Sequence, residues 1–526
     1  MLKIGLSLSG GGYRAAFYHL GVMMYLNRIH MQDGSSLLDH VESLSSVSGG
    51  SITALWYMMN EKKHRDREES FLDLYRLMTS TNIAEILIST QEEGQRHYTS
   101  LIKQLANLYD AIFFKGERFG DLMDAVEQIH VKHFSANASD FRNGLPFRFQ
   151  STKRILRGNQ KFSYGVIGNN YYRVDRELAH NIRLADILAA SSCFPGAFEP
   201  IVFPTDFDFP SRKTAPYFQH QEVGLMDGGI VDNLGLNTIF RFEEQMEKEA
   251  RSQVCCHDFV IASDVSDSRM KGYVARKPLR HCTSKISQYY KLSNRIWKGS
   301  AAALLVGIFA KQWWLSGLSA GILLASLGVR KLLTIGNRFA TKKLNELSDI
   351  EMTPDFIWKS KLGWLLPAVE NRASSLSKMS ASVVMAFMRR QMLTLWHTDQ
   401  KWENRRVHNS IYALASNGSW RRMMMKEGLG KKFQPSEEMM LISDEVADMG
   451  TTLWFTEKNM QDNLPQKLIA CGQYTICWNL YRYITKVSNP QKQNLSPEHA
   501  LLKNLGRQVK DDWKRFNDNP FFMAQI

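Results

Sequence analysis

Three short segments of this 526-residue chain combine reactive groups with glycine in a way that suits acyl transfer. Ser46-Val47-Ser48-Gly49-Gly50 follows the apolar run Leu44 to Val47 and precedes the helical pattern Ile52 to Met59. A serine at such a turn is held strained and exposed, and glycines flank it because a Cβ there would collide with neighbouring backbone. The general pattern is G-x-S-x-G, with Ser46 standing here in its first position. Gly10-Gly11-Gly12 lies between the alternating run Lys3 to Ser9 and the apolar-faced helix Arg14 to Leu26. Acyl transfer builds negative charge on a carbonyl oxygen, which bare N–H groups at a helix N-terminus can receive. Gly10, Gly11 and Gly12 are therefore the candidate oxyanion hole, with Gly11 and Gly12 as the expected donors. Asp227-Gly228-Gly229 supplies a carboxylate at a strand end. In direct contact with Ser48 it would act as base without a histidine, provided burial raises its pKa from the ordinary value near 4.

Two other chemistries use some of the same residues. Gly10-x-Gly12-x-x-Ala15 fits a dinucleotide-binding loop, but that fold ends its second strand in an acidic residue, and this strand ends in Ser48-Gly49-Gly50. His257 and His281 come after Asp227 and would complete a Ser, Asp, His order. Against a triad, ordinary α/β-hydrolases place several strands before the nucleophile, whereas only one precedes the Ser48 strand here. Arg14 is a candidate contact for a substrate phosphate. Asp232 and Asn233 are read as capping or turn residues. The six cysteines have no ligand or C-x-x-C spacing, so neither a disulfide framework nor a metal site is expected, and no cofactor is required.

The elements around these segments are those of an α/β protein. Two strand-turn-helix units in the first fifty residues imply a parallel sheet. Residues 61 to 137 read as amphipathic helix, 146 to 165 as strand-like, 184 to 190 as a short helix, and strands continue to about residue 264. Beyond Lys285 the pattern is mostly helical, and the polar tail after Ser488 is expected to be loosely held. At 44% hydrophobic and 22% charged residues, the composition is that of a folded globular protein.

Taken in order, Gly10-Gly11-Gly12-Tyr13-Arg14, Ser46-x-Ser48-x-Gly50 and Asp227-Gly228-Gly229 resemble the patatin-like phospholipase family. Ala190-Ser191-Ser192-Cys193-Phe194-Pro195-Gly196-Ala197-Phe198 is similar to the family's A-S-S-x-x-P-x-x-F segment, and Gly229-x-x-Asp232-Asn233 resembles the residues after its D-G-G. The resemblance implies a three-layer α/β/α fold with a mainly parallel central sheet, a Ser48 and Asp227 dyad, an oxyanion hole from the glycine loop, and hydrolysis of acyl esters from phospholipids or other acyl lipids. Ser9 stands where many members carry Asp. Thr451-Thr452-Leu453 and Leu464-Pro465-x-x-Leu468-x-x-x-Gly472-x-Tyr474 look like the family's C-terminal helical stretch. The expected domain plan is a catalytic core over 1–282, a helical insertion over 283–374, a continuation of the catalytic domain over 375–487 and a polar tail over 488–526.

Inside the insertion, residues 299–329 carry Lys311 as their only charge, and basic residues flank both ends. Two full crossings of a bilayer need about 40 residues, so this segment is expected to dip into one leaflet as a hairpin or interfacial helix. Gly317-x-x-x-Gly321 within it has a spacing that permits close helix packing. The alternative is a buried pair of core helices. A net charge of +14 favours anionic surfaces, and without a zinc-finger or RNA-recognition pattern the expected polyanion is membrane lipid, with no nucleic acid. The glycine loop begins after nine residues, which leaves no room for a signal peptide, so a cytoplasmic, peripherally or monotopically membrane-associated protein is expected.

Overall fold

The computed structural model describes residues 2–524 apart from 93–99, 154, 158–159, 163–166, 175, 211–221, 251–255, 267–273, 276, 278–284, 348–360 and 489–496. The chain divides into two units, one formed by Met1–Met270 with Ser380–Ile526 and the other by Lys271–Met379.

The first unit is built on a ten-stranded sheet. Its parallel part contains β1 (Ile4–Leu8), β2 (Val41–Val47), β3 (His133–Asp140), β9 (Phe259–Asp264) and β10 (Arg406–Ser410), side by side as β10-β9-β1-β2-β3. From β3 the sheet continues antiparallel through β4 (Leu145–Thr152) to the short strands β5 (Ile167–Gly168) and β6 (Arg173–Val174). Antiparallel pairing also joins β7 (Ile201–Phe203) to β8 (Val223–Asp227), and β8 to the end of β3 with Asp227 opposite Ala138. The strands that lead into the glycine loop and Ser48 are thus parallel, whereas β8, which ends at Asp227, pairs antiparallel in a sheet that is mixed as a whole. Helices flank it, with more helices in the C-terminal part.

β1 and β2 are central, with both faces covered. Their apolar side chains enter the main core, and their serines are satisfied locally: Ser45 donates to the Gly235 carbonyl at 2.7 Å and Ser7 to that of Leu234. A buried hydroxyl with a carbonyl partner costs little, so serine is tolerated on this face. Helix α1 (Gly12–Arg28) is buried from Gly12 to Leu26, and it crosses α9 (Leu464–Val487) closely. A Cβ on Gly21 would lie 2.2 Å from the Ile469 carbonyl oxygen, and one on Gly472 2.1 Å from that of Tyr18. The segment resembling a C-terminal family stretch is therefore the partner of the first helix.

Two sequence expectations need correction. Strand β10 falls in the region read as helical; Arg406-Val-His-Asn-Ser contains a single apolar residue and lies at the sheet edge, where one-sided burial leaves no hydrophobic run to find. The segment read as a loose tail contains helix α10 (Pro497–Asp518), whose Leu502, Leu505, Val509, Trp513 and Phe516 are buried. Its apolar residues are spaced along one face, so the average composition is polar while the stripe is not.

The second unit contains helices α4 (Ile286–Phe309) and α5 (Trp313–Leu347), joined by three residues into an antiparallel hairpin. Arg330 lies 5.3 Å from the Tyr290 ring and 5.5 Å from the Trp297 ring, pinning the two helices together at that level. The side chains facing inward are small: Ser293, Ser300, Ser316, Ser319 and Ser326 are buried. The large apolar ones face outward, with Phe309 85%, Trp313 74% and Trp314 71% exposed. Gly317 and Gly321 have open space where a Cβ would be, so the helices meet along the serines and not through the glycine spacing.

Candidate active site

Ser48 follows β2 and caps α2 (Gly49–Lys62) with φ 51° and ψ −122°. A non-glycine residue at positive φ is strained, and only surrounding structure holds it there. One restraint is immediate: a Cβ on Gly49 would fall 2.0 Å from the Gly12 carbonyl oxygen. The start of α2 is therefore pressed against the glycine loop, which brings the loop beside Ser48. Gly11 at φ 152° makes the reversal into α1.

Not all three loop amides are available. Gly10 donates its N–H to the Asn233 carbonyl at 3.2 Å, while the amides of Gly11 and Gly12 have no hydrogen-bond partner among the described residues. Gly10 thus serves the backbone frame. Gly12 abuts the C-terminal part, since Tyr13 N–H donates to the Thr452 carbonyl at 2.8 Å.

Asp227 ends β8 and is 2% exposed. Its Oδ1 accepts the Gly229 amide at 2.7 Å, and the Ser48 hydroxyl is near enough to act on its pKa. Burial pushes its pKa up to about 6, against the opposing pull of the Gly229 amide and the Ser48 hydroxyl. A carboxylate poised there is ionised at neutral pH and a better proton acceptor than an ordinary aspartate.

The two residues are held by one segment to which sequence patterning assigns no role. Helix α3 (Leu184–Ser191) ends at Ser191, whose Oγ accepts the Ser48 amide at 2.9 Å and donates to the Asn137 carbonyl at 2.7 Å. The Ser191 carbonyl takes the Gly228 amide at 3.3 Å, and the Cys193 carbonyl takes the Asp227 amide at 2.9 Å. Ser51 lies 3.0 Å from Ser191 and donates to Ser46 at 3.0 Å. Ser46, in the first position of the elbow, thus contributes a hydroxyl to a buried polar network behind Ser48. The sequence signal is present in Ala190-Ser191-Ser192; it does not reveal which backbone groups the hydroxyl reaches.

Other expected residues lie elsewhere. Arg14 is 7% exposed and donates to the carbonyls of Ala447 and Met449, at the end of α8 (Glu437–Asp448), at 3.2 and 2.6 Å, so it ties α1 to the C-terminal part instead of facing a substrate phosphate. His257 precedes β9, at the opposite end of the sheet from Ser48, between Ser43 at 2.7 Å and Glu243 at 3.4 Å. Ser43 and Ser48 are five strand positions apart, about 16 Å. His281 lies outside the described residues. His19 is a histidine behind the loop, its nitrogens 2.9 Å from the Ser263 hydroxyl and the Ser9 carbonyl; burial pushes its pKa down to about 4. Asp232 is a turn residue, accepting the amides of Leu234, Gly235 and Asn237. Among the described residues no group of three or more His, Cys, Asp or Glu side chains is placed to hold a metal.

No curated protein matches the chain. Among solved structures it is similar to human GIVD cytosolic phospholipase A2, at 16% identity over 50% of this chain and 43% of that one, with a TM-score of 0.33. The same human protein in complex with methyl gamma-linolenyl fluorophosphonate matches at 18% identity over 37% of this chain and 29% of that one, with a TM-score of 0.26. The chain spans less than half the length of these structures. Residues 6–239, the span that contains the glycine loop, Ser48, Ser191 and Asp227, match the model of the patatin-like phospholipases, so this part of the chain is similar to that family.

Proposed function

We propose that the protein is a phospholipase A or lysophospholipase type of acyl hydrolase, cleaving fatty acyl esters with Ser48 as nucleophile and Asp227 as its base. The observation that carries this reading is the nearness of the Ser48 hydroxyl to a buried carboxylate whose pKa burial raises to about 6. In the first step Asp227 takes the hydroxyl proton as Ser48 Oγ bonds to the ester carbonyl carbon. The carbonyl electron pair moves onto oxygen, and the amides of Gly11 and Gly12 receive that charge. Collapse expels the alkoxide of the lipid, which leaves with the proton from Asp227, and Ser48 keeps the acyl group. Water then gives a proton to Asp227 and attacks the acyl-enzyme. The second collapse frees the fatty acid, and the proton returns to Ser48.

Access to lipid is assigned to the α4–α5 hairpin. Soluble helix pairs bury large apolar side chains and expose small polar ones; this pair does the reverse, as helices packed in lipid do. The uncharged run 313–329 is about 26 Å long at 1.5 Å per residue, and 299–310 about 18 Å. A bilayer core is about 30 Å thick, so the hairpin enters beyond one leaflet without crossing twice. Lys311 at the tip costs about 3 kcal/mol. Phe309, Trp313 and Trp314 offset this, at about 1.5–3 kcal/mol for each such side chain transferred from water.

An active-site serine probe tests the assignment. Labelling confined to Ser48 and lost in Ser48→Ala, together with release of fatty acid from mixed lipid vesicles by the parent, is the expected result. A folded Ser48→Ala protein that still hydrolyses the ester would refute it.

A further inference from the structure

Away from Ser48, the first unit has a cavity of about 510 Å³ beyond the carboxyl ends of β9 and β10. It is bounded by α6 (Met385–Thr398), by β10 and by the loop leading into α7 (Trp420–Glu427). The ionisable side chains that line it are all of basic type, Arg389, His397, His408, Arg421 and Arg422, with no Asp or Glu among the described residues that line it. Asp264 lies beneath and neutralises one charge, accepting Arg389 Nε at 2.9 Å and facing His408 Nε2 at 3.1 Å. Arg421 and Arg422 are exposed and make no ion pair among the described residues, though the Arg421 guanidinium lies over the Trp420 ring at 5.1 Å.

These two arginines stand where a helix least favours them. They occupy the first turn of α7, which contains no acidic residue, so they face the positive end of the helix dipole. Their own amides have no hydrogen-bond partner among the described residues, and they lie beside Ser419 and Gly418 on the cavity wall. Two unpaired cations at a helix N-terminus repel each other and the dipole, and an anion seated between them removes both penalties at once. The forked guanidinium suits a tetrahedral oxyanion, and the cavity volume admits a headgroup-sized molecule. Partial burial first, and then the neighbouring basic side chains of His408, Arg406, Lys426 and Arg482, hold the pKa of His397 down to about 4.

We propose that this cavity binds a phosphate group, held by Arg421, Arg422 and the first-turn amides of α7, with His408 on the opposite wall. The phosphate could belong to a lipid headgroup or to a free phosphate compound, and two soluble probes separate these sources. The full chain is titrated calorimetrically with inorganic pyrophosphate and with the deacylated headgroup glycerophosphoinositol phosphate, and its thermal melt is recorded with each. Binding of either probe should weaken at least about tenfold in Arg421→Gln/Arg422→Gln and stay unchanged in Lys431→Gln/Lys432→Gln. Preference for the headgroup assigns a lipid, and preference for pyrophosphate or equal binding a free phosphate. Because the arginines are unfavourable to the empty helix, the double glutamine variant should melt no lower than the parent without probe. Arg421→Lys/Arg422→Lys should retain part of the affinity. If neither probe binds, or the double glutamine variant binds as the parent does, the proposal is wrong.

Discussion

Asp227→Asn should cost the protein its activity and make it more stable. In the folded chain the Asp227 pKa is about 6 against an ordinary 3.8, so between these values the native state holds a proton that the unfolded chain has released. Stability therefore falls as pH rises through this window, and the loss is complete above about pH 7. At 1.36 kcal/mol per unit, the cost of burying the charge is about 3 kcal/mol. Asparagine has nearly the same shape, keeps an oxygen for the Gly229 amide and never ionises. Allowing about 1 kcal/mol for a weaker hydrogen bond, the variant should gain about 2 kcal/mol at pH 7.5. At pH 4, where the native aspartate is already protonated, the gain should shrink below about 1 kcal/mol. Urea unfolding of parent and variant from pH 4 to 8 reads the difference directly, and ester hydrolysis on the same samples reads the chemistry. A variant destabilised at pH 7.5, or a difference that does not change with pH, would refute burial as the source of the raised pKa. The same group sets the acid limb of catalysis: kcat/KM of the parent should rise with pH and level off above about 6 to 7.

Other positions give further tests. His257→Ala should keep ester hydrolysis per folded molecule within about tenfold, because His257 is remote from Ser48, while losing about 1–3 kcal/mol of stability through the buried Ser43 hydroxyl and Glu243 Oε2 that lose its ring, Glu243 Oε1 keeping Arg405; a drop of about a thousandfold with folding intact would restore a triad. Ser191→Ala leaves the buried Ser48 amide without its acceptor and should lower kcat more than it raises KM, at about 1–3 kcal/mol in stability measured by urea unfolding. Replacing Phe309, Trp313 and Trp314 together by alanine should weaken sedimentation with anionic vesicles by at least about a hundredfold and leave hydrolysis of a small soluble ester unchanged; unchanged sedimentation would remove the hairpin from lipid binding.

Legibility in the sequence extends as far as local pattern does. The β1–glycine loop–α1 and β2–Ser48–α2 units follow from alternation, a glycine break and helical periodicity within a few residues of one another. Features that depend on distant partners escape. Arg14 has a charged side chain beside the site in sequence, yet in space its fork is filled by carbonyls more than four hundred positions later. Ser191 is one small residue among several in its segment, although its hydroxyl and carbonyl serve Ser48 and Gly228 at once. Gly10 differs from Gly11 and Gly12 only through the carbonyl of Asn233. The hairpin is legible as an apolar run, but its packing is not, because Gly-x-x-x-Gly and a row of serines offer a helix the same small-residue contact and only geometry separates them.

The glycine loop gains its shape from residues outside the family match as well as from those within it. A Cβ on Gly12 would lie 2.3 Å from the Thr452 carbonyl oxygen, and that carbonyl is the acceptor for Tyr13 N–H. On the adjoining turn, Arg14 is bonded to the carbonyls of Ala447 and Met449, and deeper along α1, Tyr18 meets Thr475 of α9 at 2.7 Å. α1 is apolar and buried around most of its circumference, which the sheet can cover on one side only. The other side is supplied by α9. Residues 6–239 contain Ser48 and Asp227, but the backbone that presents the Gly11 and Gly12 amides is clamped from residues 447 to 475, so the geometry proposed to bind the oxyanion is a property of the whole first unit.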